Sequence, residues 1–431
     1  MAITIQASPQ LYTPAFNPIW SVVSSTNTAQ TNFEYICDVY VSGKSFAGGS
    51  TYLRLTAPAD PTYGRGTFDV SAVLKSFIDY DLELTNLGVY KSPNSILGYT
   101  LKFGEKYGAS SGIVVYADLT VDSTRYAWNG IFDHLDFKNF TYTDYVSDAT
   151  PDTGVKWLTN RRYTTSDSVI PLRTGEKAWL YALTSHATAT QFLILKTYNV
   201  AGTLQQTLAF DNPYYGLSAS GSRMIRVPAG YNIDDIPAGQ VAVGTLPVIT
   251  DDSTIYYKLF FSSLSTGSDA DATTEMIYFS KYKLATAEEF PCTEHTEWRL
   301  HFQNKLGGFD SFTFTQAHQF ATDITRKKFE KVTGAYQSGS SYTYNKIDRL
   351  ENNFYTELRD TIKLNSNWIT EAESTWLEEL ITSPRIFHDD ATHGLVPVNI
   401  TNAKYTRKQK VTDALFNLEI DIQYTYNRFR Q

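Results

Sequence analysis

The strongest constraint on the fold is an alternation of apolar and polar residues that runs without a break from Phe416 to Tyr426. Successive side chains of a strand point to opposite faces, so a slip of one residue would exchange the two faces. The run therefore predicts a strand with a fixed register and one buried face. Its predicted inward residues are Phe416, Leu418, Ile420, Ile422, Tyr424 and Tyr426.

A second segment, Trp298 to Phe314, has the pattern of a strand, a glycine turn and another strand. Trp298, Leu300 and Phe302 fall on one side of the first strand. The two glycines in the centre precede no helical pattern, so the pair indicates a tight turn rather than a phosphate-binding loop.

Other short strands are predicted along the whole chain. Residues 33–41 and 52–55 form a candidate hairpin in which Tyr35, Cys37 and Val39 face inward. Between about residues 168 and 285, strand-like runs recur at roughly ten-residue intervals, which is typical of sandwiches. The 30 tyrosines and 25 phenylalanines also favour pleated structure. The sequence predicts a mainly β protein.

One well-specified helix is predicted near residues 371–382. Thr370 and Glu373 have the spacing of a capping box, in which each side chain bonds to the backbone of the other. An apolar stripe follows, and Pro384 ends the helix. A shorter helix is predicted after Gly66, with Asp69 or Ser71 as its cap.

With 431 residues, the chain exceeds the usual size of one hydrophobic core. A polar, turn-rich stretch near residues 146–168 and a change of pattern near 290 indicate the boundaries. We expect residues 1–145 and 290–431 to form one β-sandwich body with one flanking helix. Residues 146–289 would form an inserted all-β sandwich of the jelly-roll or immunoglobulin-like kind.

Charge and hydropathy exclude several partners. The net charge is −8 and basic runs are short, so a nucleic-acid surface is not expected. No apolar stretch reaches eighteen residues, and the amino terminus lacks a signal-peptide pattern. We expect synthesis in a host cytoplasm without membrane insertion. The two cysteines, Cys37 and Cys292, are expected to be buried and reduced.

Motifs for catalysis or metal binding are weak. His388 and His393 flank two aspartates, but the segment has no helical pattern that would place both rings on one face, so we interpret it as a polar loop. The carboxylate pairs Asp234-Asp235, Asp251-Asp252 and Glu288-Glu289 are adjacent in sequence and are interpreted as surface loops. No nucleophile elbow or Walker loop is present. We predict no catalytic residue, metal site or cofactor.

Aromatic residues of the middle segment are candidates for stacking on sugar rings. They are Trp179, Tyr214, Tyr215 and Tyr231. The alternative interpretation, ordinary core and turn aromatics in a tyrosine-rich chain, stays open.

The two ends of the chain resemble a class of virion proteins from tailed phages, particularly phages of Bacteroidetes-group hosts. The similar pieces are 35–41, 64–71, 298–314, 368–377, 395–401, 408–410 and 415–419. The resemblance implies a tail or baseplate structural protein, akin to distal-tail ring proteins. Such a protein would be located in the virion tail, associate with itself as a ring and dock other tail proteins.

Two further functions stay open beside this one. A receptor-binding or fibre-attachment protein would use the middle domain to bind host-surface polysaccharide. A polysaccharide-degrading enzyme is less consistent with the sequence, because no short-period repeat of a β-helix is present.

Overall fold

The chain is mainly β, with 46% of residues in strands and 10% in helices, as the sequence predicts. The computed structural model describes residues 3–82, 87–108, 114–115, 120–147, 154–165, 169–185, 190–214, 223–251, 253–283, 288–289, 295–331, 335–337, 341–343, 347, 349–402 and 415–430.

The chain divides into two compact units. Unit 1 comprises Met1–Pro291 together with Asn304–Asp310, and unit 2 comprises Cys292–Gln303 together with Ser311–Gln431. The division after Pro291 lies close to the predicted boundary near 290. The structure groups residues 1–145 with the middle segment, whereas the prediction grouped them with 290–431.

The N-terminal part of unit 1 contains a three-stranded and a seven-stranded sheet. Side chains from both sheets meet in one core that includes Val23, Phe68 and Leu101. The predicted hairpin is confirmed, because 34–41 pairs with 53–58. The elements of this part are β1 (Thr4–Ala7), β2 (Tyr12–Pro14), β3 (Trp20–Ser24), β4 (Glu34–Val41), β5 (Leu53–Pro58), β6 (Arg65–Asp69), α1 (Ser71–Leu74), β7 (Tyr90–Lys91), β8 (Ile96–Tyr107), β9 (Val114–Val115), β10 (Thr120–Val121), β11 (Arg125–Trp128) and α2 (His134–Lys138).

Residues 146–289 contribute three strands of a four-stranded sheet, a complete six-stranded sheet and a separate two-stranded sheet. Leu180 and Ile225 from the first sheet and Leu195 and Leu259 from the second belong to one core. The strands are β12 (Val146–Ser147), β13 (Ile170–Pro171), β14 (Trp179–Thr184), β15 (Phe192–Tyr198), β16 (Leu204–Asp211), β17 (Arg223–Pro228), β18 (Val241–Val243), β19 (Tyr256–Ser262), β20 (Ile277–Ser280), β21 (Tyr282–Lys283) and β22 (Glu288–Glu289).

Strand pairing and core packing both cross the predicted boundary near residue 146. β7, which lies in the predicted N-terminal segment, pairs with β17 of the middle segment. Val89 likewise belongs to the middle core. The first 145 residues therefore supply a strand and a core side chain to the neighbouring fold, which is why both segments belong to one unit.

Unit 2 is built on an eight-stranded sheet in the order β24-β23-β30-β31-β33-β28-β25, with β34 paired to β28. Two short helices cover part of one sheet face, and Trp376, Leu377 and Leu380 pack there with Ile362 and Ile420. The elements are β23 (Trp298–Gln303), β24 (Phe309–Phe314), β25 (Gln319–Glu330), β26 (Ala335–Gln337), β27 (Ser341–Thr343), β28 (Glu351–Asn365), β29 (Ile369–Thr370), α3 (Glu371–Trp376), α4 (Glu378–Thr382), β30 (Ile386–Asp390), β31 (Gly394–Ile400), β32 (Leu415–Phe416), β33 (Glu419–Tyr424) and β34 (Arg428–Arg430).

The predicted helix is confirmed in place and in mechanism. Thr370 accepts a hydrogen bond from the amide of Glu373, and the Glu373 carboxylate accepts one from the amide of Thr370. The helix is divided into α3 and α4 at Leu377. In the shorter helix α1 the N-cap is Val70, although the Asp69 carboxylate does accept from the amide of Ser71.

The terminal alternation is confirmed only in its centre. Leu418, Ile420 and Ile422 are buried. The strand is interrupted between β32 and β33, so the predicted single run is wrong there. Tyr426 is 54% exposed and lies beyond the covered part of the sheet, contrary to the prediction that it faces inward. The side chain of Phe416 lies outside the described part of the structure.

Candidate functional site

The longest strand pair of unit 2, formed by β25 and β28, is called the ribbon below. It is antiparallel, from Gln319 opposite Lys363 to Glu330 opposite Glu351. On its other side β28 pairs with β33 and β34. In the described part of the chain β25 pairs with β28 alone and is an edge strand. Its 12 residues extend about 40 Å.

Every residue of β25 is exposed to solvent, on both faces of the strand. An edge strand also presents a row of backbone N–H and C=O groups that can pair with another chain. Proteins usually shorten or cover such edges. A long edge that is accessible from its side and from both faces therefore indicates a surface suited to strand addition.

On one face of the ribbon, two apolar cross-strand pairs continue from the core of unit 2, although Asp360 and Arg326 lie on the same face. Phe320 lies opposite Ile362, and Ile324 lies opposite Leu358. Ile362 is fully buried, whereas Phe320 and Ile324 are 64% and 46% exposed. The apolar layer of the sheet thus extends beyond the part covered by the helices.

The other face of the ribbon is charged. Asp323 lies opposite Arg359, and Lys327 lies opposite Tyr355. The Lys327 ammonium is 5.6 Å from the centre of the Tyr355 ring, close enough for a cation–π contact. The sequence pattern did not reveal that β25 would be uncovered.

The three described aromatic residues that were predicted to bind glycan, Trp179, Tyr214 and Tyr231, do not form one exposed face. Trp179 is only 8% exposed. Tyr214 and Tyr231 pack against the middle core, and the Tyr214 ring meets the Tyr90 ring edge-on at 5.8 Å. Tyr215 lies outside the described residues. Glycan binding by these residues stays a prediction, and the burial of Trp179 weighs against a stacking role for it.

A different group of aromatic residues lines the six-stranded sheet of unit 1. Tyr198 and Tyr256 stack with ring centres 4.9 Å apart. The Lys258 ammonium lies 5.8 Å from the Tyr198 ring centre and 5.7 Å from that of Tyr278. We call these four residues, with Lys196 and Asp269, the tyrosine–lysine cluster. Sequence reasoning missed it, although the alternation of Tyr256, Lys258 and Phe260 was a usable signal.

Asp269 joins the two lysines of this cluster. Its carboxylate accepts hydrogen bonds from Lys196 at 2.7 Å and from Lys258 at 2.5 Å. Burial works to raise the pKa of Asp269, but the two lysines outweigh it and the net pKa is lowered. Burial likewise works to lower the pKa of Lys258, and the hydrogen bond to Asp269 reverses this to a raised pKa. Asp269 and Lys258 are therefore both charged at neutral pH.

Unit 2 contains a serine, a histidine and an aspartate in contact. The Nδ1 atom of His301 is 2.6 Å from the Ser311 hydroxyl, and its Nε2 atom is 3.5 Å from the Asp389 carboxylate. Nucleophilic catalysis needs such neighbours, but it also needs access for a substrate. The His301 side chain is 0% exposed, so this arrangement is best interpreted as a buried polar network.

The segment from His388 to His393 is not the polar loop that the sequence predicted. His388 lies in β30 and its ring stacks on Trp298 with centres 4.0 Å apart. His393 lies in the following turn and bonds to Asp390. Burial lowers the pKa of His388, although Asp390 and Asp389 work in the opposite direction. The prediction of a loop was wrong because β30 has only five residues, too few to show a clear strand pattern around His388.

Two of the adjacent carboxylates, Asp234 and Asp251, have structural contacts, whereas Asp235 is exposed. Asp234 accepts hydrogen bonds from the amides of residues 248–250, which fastens that loop. Asp251 accepts from the amide of Ser253. Asp252 and the side chains of Glu288 and Glu289 lie outside the described part of the structure.

Across the described ranges, no group of three or more His, Cys, Asp or Glu side chains is arranged to hold a metal ion. Nor does any helix within these ranges have the length and apolar character needed to cross a membrane. Cys37 is buried and makes no disulfide, and burial raises the pKa of its thiol. Cys292 lies outside the described residues.

The amino-acid sequence matches no protein-family model, and no match to it was found among curated proteins. The surface geometry of the two units is therefore the basis for inferring a function.

Proposed function

We propose that this chain is a non-enzymatic structural subunit of a phage tail or baseplate, located in the virion. In this proposal it associates with itself as a ring and docks other tail proteins. The observation that carries the proposal is the exposed edge of β25, because an accessible edge strand can join subunits through backbone hydrogen bonds. The resemblance of both ends of the chain to virion proteins suggests the phage tail as the assembly in which the subunits associate.

The proposed architecture is a β-sandwich in each part of unit 1, the second of the jelly-roll or immunoglobulin-like kind. The support is that each of the two cores draws side chains from two sheets. In unit 2 a single sheet carries the flanking helices. The sheet of unit 2 would hold the edge of β25 in a defined direction, which a symmetric contact between subunits needs.

Native mass spectrometry of the purified full-length protein tests the ring. The expected result is one discrete mass of three or more subunits, with a closed ring in electron micrographs. A monomer at all protein concentrations up to about 100 μM would overturn the proposal. Cryo-electron microscopy of the phage particle is the second test, and a tail that lacks this chain would also overturn it.

A second candidate function is attachment to host-surface polysaccharide. The tyrosine–lysine cluster favours it, because tyrosine rings and charged groups on one sheet face are typical of sugar-binding surfaces. The mutual stacking of Tyr198 and Tyr256 occupies one face of each ring and leaves Tyr278 as the main candidate for contact with a sugar.

A glycan array probed with the full-length protein distinguishes the two functions. Binding that is lost in Tyr278→Ala and kept in Tyr63→Ala would support attachment, since Tyr63 is an exposed tyrosine in the N-terminal part of unit 1. Loss of glycan binding in Tyr214→Ala instead would support the site that was predicted from the sequence. No binding to any glycan would reject this second function.

A further inference from the structure

The edge of β25 has a charge pattern that is complementary to a second copy of itself. From its N-terminal to its C-terminal end the strand carries Asp323, then Arg326, Lys327 and Lys328, and it ends at Glu330. In an antiparallel pair the two strands run in opposite directions, so the acidic half of one copy lies beside the basic half of the other. We propose that two copies of this chain associate through their β25 edges, with Thr325 on the twofold axis.

The twofold axis restricts the possible registers. Residues directly opposite each other in an antiparallel pair lie on the same face of the sheet. The axis must therefore pass beside a residue that lies opposite the same residue of the second copy. With Thr325 on the axis, Asp323 lies opposite Lys327 of the second copy, twice by symmetry. Opposite charges in directly facing positions stabilise a strand pair.

The neighbouring registers are less favourable. With the axis at Ile324, Asp323 lies opposite Thr325 and no ion pair forms. With the axis at Asp323 or at Arg326, the residue on the axis faces a like charge, which destabilises the pair. The Thr325 register therefore forms two ion pairs and places no like charges opposite each other between Phe320 and Glu330.

Pairing in this register extends the charge alternation that each ribbon already has. Arg359 lies opposite Asp323 within one copy, and Tyr355 lies opposite Lys327. Across the four paired strands, Arg359 and Asp323 of one copy are then followed by Lys327 and Tyr355 of the second copy. Pairing also brings the exposed Phe320 and Ile324 of both copies onto one sheet face.

The lysines have a second interpretation. Edge strands often carry lysine to prevent pairing with another chain. That protection needs like charges to meet, and Asp323 removes this repulsion in the Thr325 register. No layer covers Phe320 and Ile324 of the ribbon, and the strands of a second copy supply additional contacts beside them.

The proposed contact is isologous, so on its own it produces a dimer. A ring needs a different, head-to-tail contact. Together, the two contacts would join subunits of two rings. The dimer contact does not depend on the proposed phage function and can be tested apart from it.

The test uses charge reversal in the full-length protein. Asp323→Lys places two lysines opposite each other in the paired strands, and Lys327→Asp places two aspartates opposite each other. Each single variant is expected to raise the dimer dissociation constant at least about tenfold, measured by analytical ultracentrifugation at low salt. An equimolar mixture of the two variants restores opposite-charge contacts and is expected to recover association.

Both residues are exposed, so folding should be retained, and a cooperative melting transition verifies this. Asp323→Lys also places a like charge opposite Arg359 within its own ribbon, so recovery on mixing is the result that isolates the contact between copies. Glu378→Lys, at an exposed residue of α4, is the control for charge change elsewhere in unit 2 and should leave association unchanged. Wild-type association in both single variants would overturn the proposal. The proposal would also be overturned if both single variants lose association and mixing them does not restore it. A wild-type protein that forms neither a dimer nor an assembly of dimers would overturn it as well.

The result is distinguishable from failure of the ring. A dimer that is broken by each reversal and restored by mixing supports this contact even when no ring forms. A ring whose mass is halved by each reversal supports both contacts.

Discussion

Two antiparallel strand pairs of this chain, β23 with β24 and β25 with β28, differ in how deeply they are buried. The hairpin of β23 and β24 has a turn in which every residue except Lys305 is buried, whereas the ribbon of β25 and β28 is exposed along the whole of β25. Both have the alternation of antiparallel strands. The difference indicates that the first hairpin serves the stability of the fold, and that the second is available for association.

The turn of the first hairpin is held by hydrogen bonds within unit 1. The Asn304 side chain donates to the carbonyl of Leu158 and accepts from the amides of Leu306 and Gly308. The Trp128 indole donates to the carbonyl of Leu306. These buried polar groups of the turn have partners, and the loss of one partner would leave an unsatisfied group in the core.

The largest expected effect is that of Gly307→Ala. Gly307 has φ +92°, and an added Cβ would lie 1.8 Å from the Asn129 carbonyl oxygen. We expect a loss of at least about 4 kcal/mol in the free energy of unfolding, measured by urea denaturation. The control is Gly43→Ala, with φ +68° and nothing within 4 Å of the Cβ, for which about 1–2 kcal/mol is expected. Equal losses in both variants would show that the turn is not specially constrained.

A pair of phenylalanine variants compares the two hairpins directly. Phe302→Ala removes a fully buried side chain in β23 and should cost about 3–4 kcal/mol. Phe320→Ala removes a ring that is 64% exposed and should change the unfolding free energy by less than about 0.5 kcal/mol at concentrations where the protein is a monomer. A large loss in Phe320→Ala would mean that the ribbon is covered in the monomer.

The capping box should have a smaller, local effect. Thr370→Ala removes the acceptor for the amide of Glu373 and should cost about 1 kcal/mol. Thr370→Ser keeps a hydroxyl and should retain most of that stability. Hydrogen exchange of residues 371–376 measures both, and equal exchange in the two variants would contradict a capping role.

The smallest expected effect is on pH dependence. Because burial lowers the pKa of His388 in the folded state, the unfolded chain binds a proton more readily. This contribution to stability is present above about pH 6.5, the usual pKa of histidine, and is lost as the pH falls below it. Hydrogen exchange in β30 should therefore accelerate more between pH 7.5 and 5.5 in the wild type than in His388→Gln, after correction for the intrinsic pH dependence of exchange. The ribbon serves as the internal reference, and the same pH response in both regions would contradict the assignment to His388.

Local sequence signals identified several elements correctly. The capping box located α3, and the glycine pair located the turn between β23 and β24. Such signals depend on contacts between residues close in sequence, so they can be predicted without the rest of the chain. The candidate functional site is different, since the exposure of β25 depends on where the covering layer of unit 2 ends.

The sequence by itself determined the mainly β character, the helix cap and the registers that depend on alternation. Only the tertiary structure decided which alternating strands are covered. Ile422 in β33 is buried and Ile324 in β25 is 46% exposed, although both lie in alternating runs of one sheet. The reason is physical: alternation sets the face of the strand on which a side chain lies, but burial requires another layer to pack on that face, and that layer comes from residues distant in sequence.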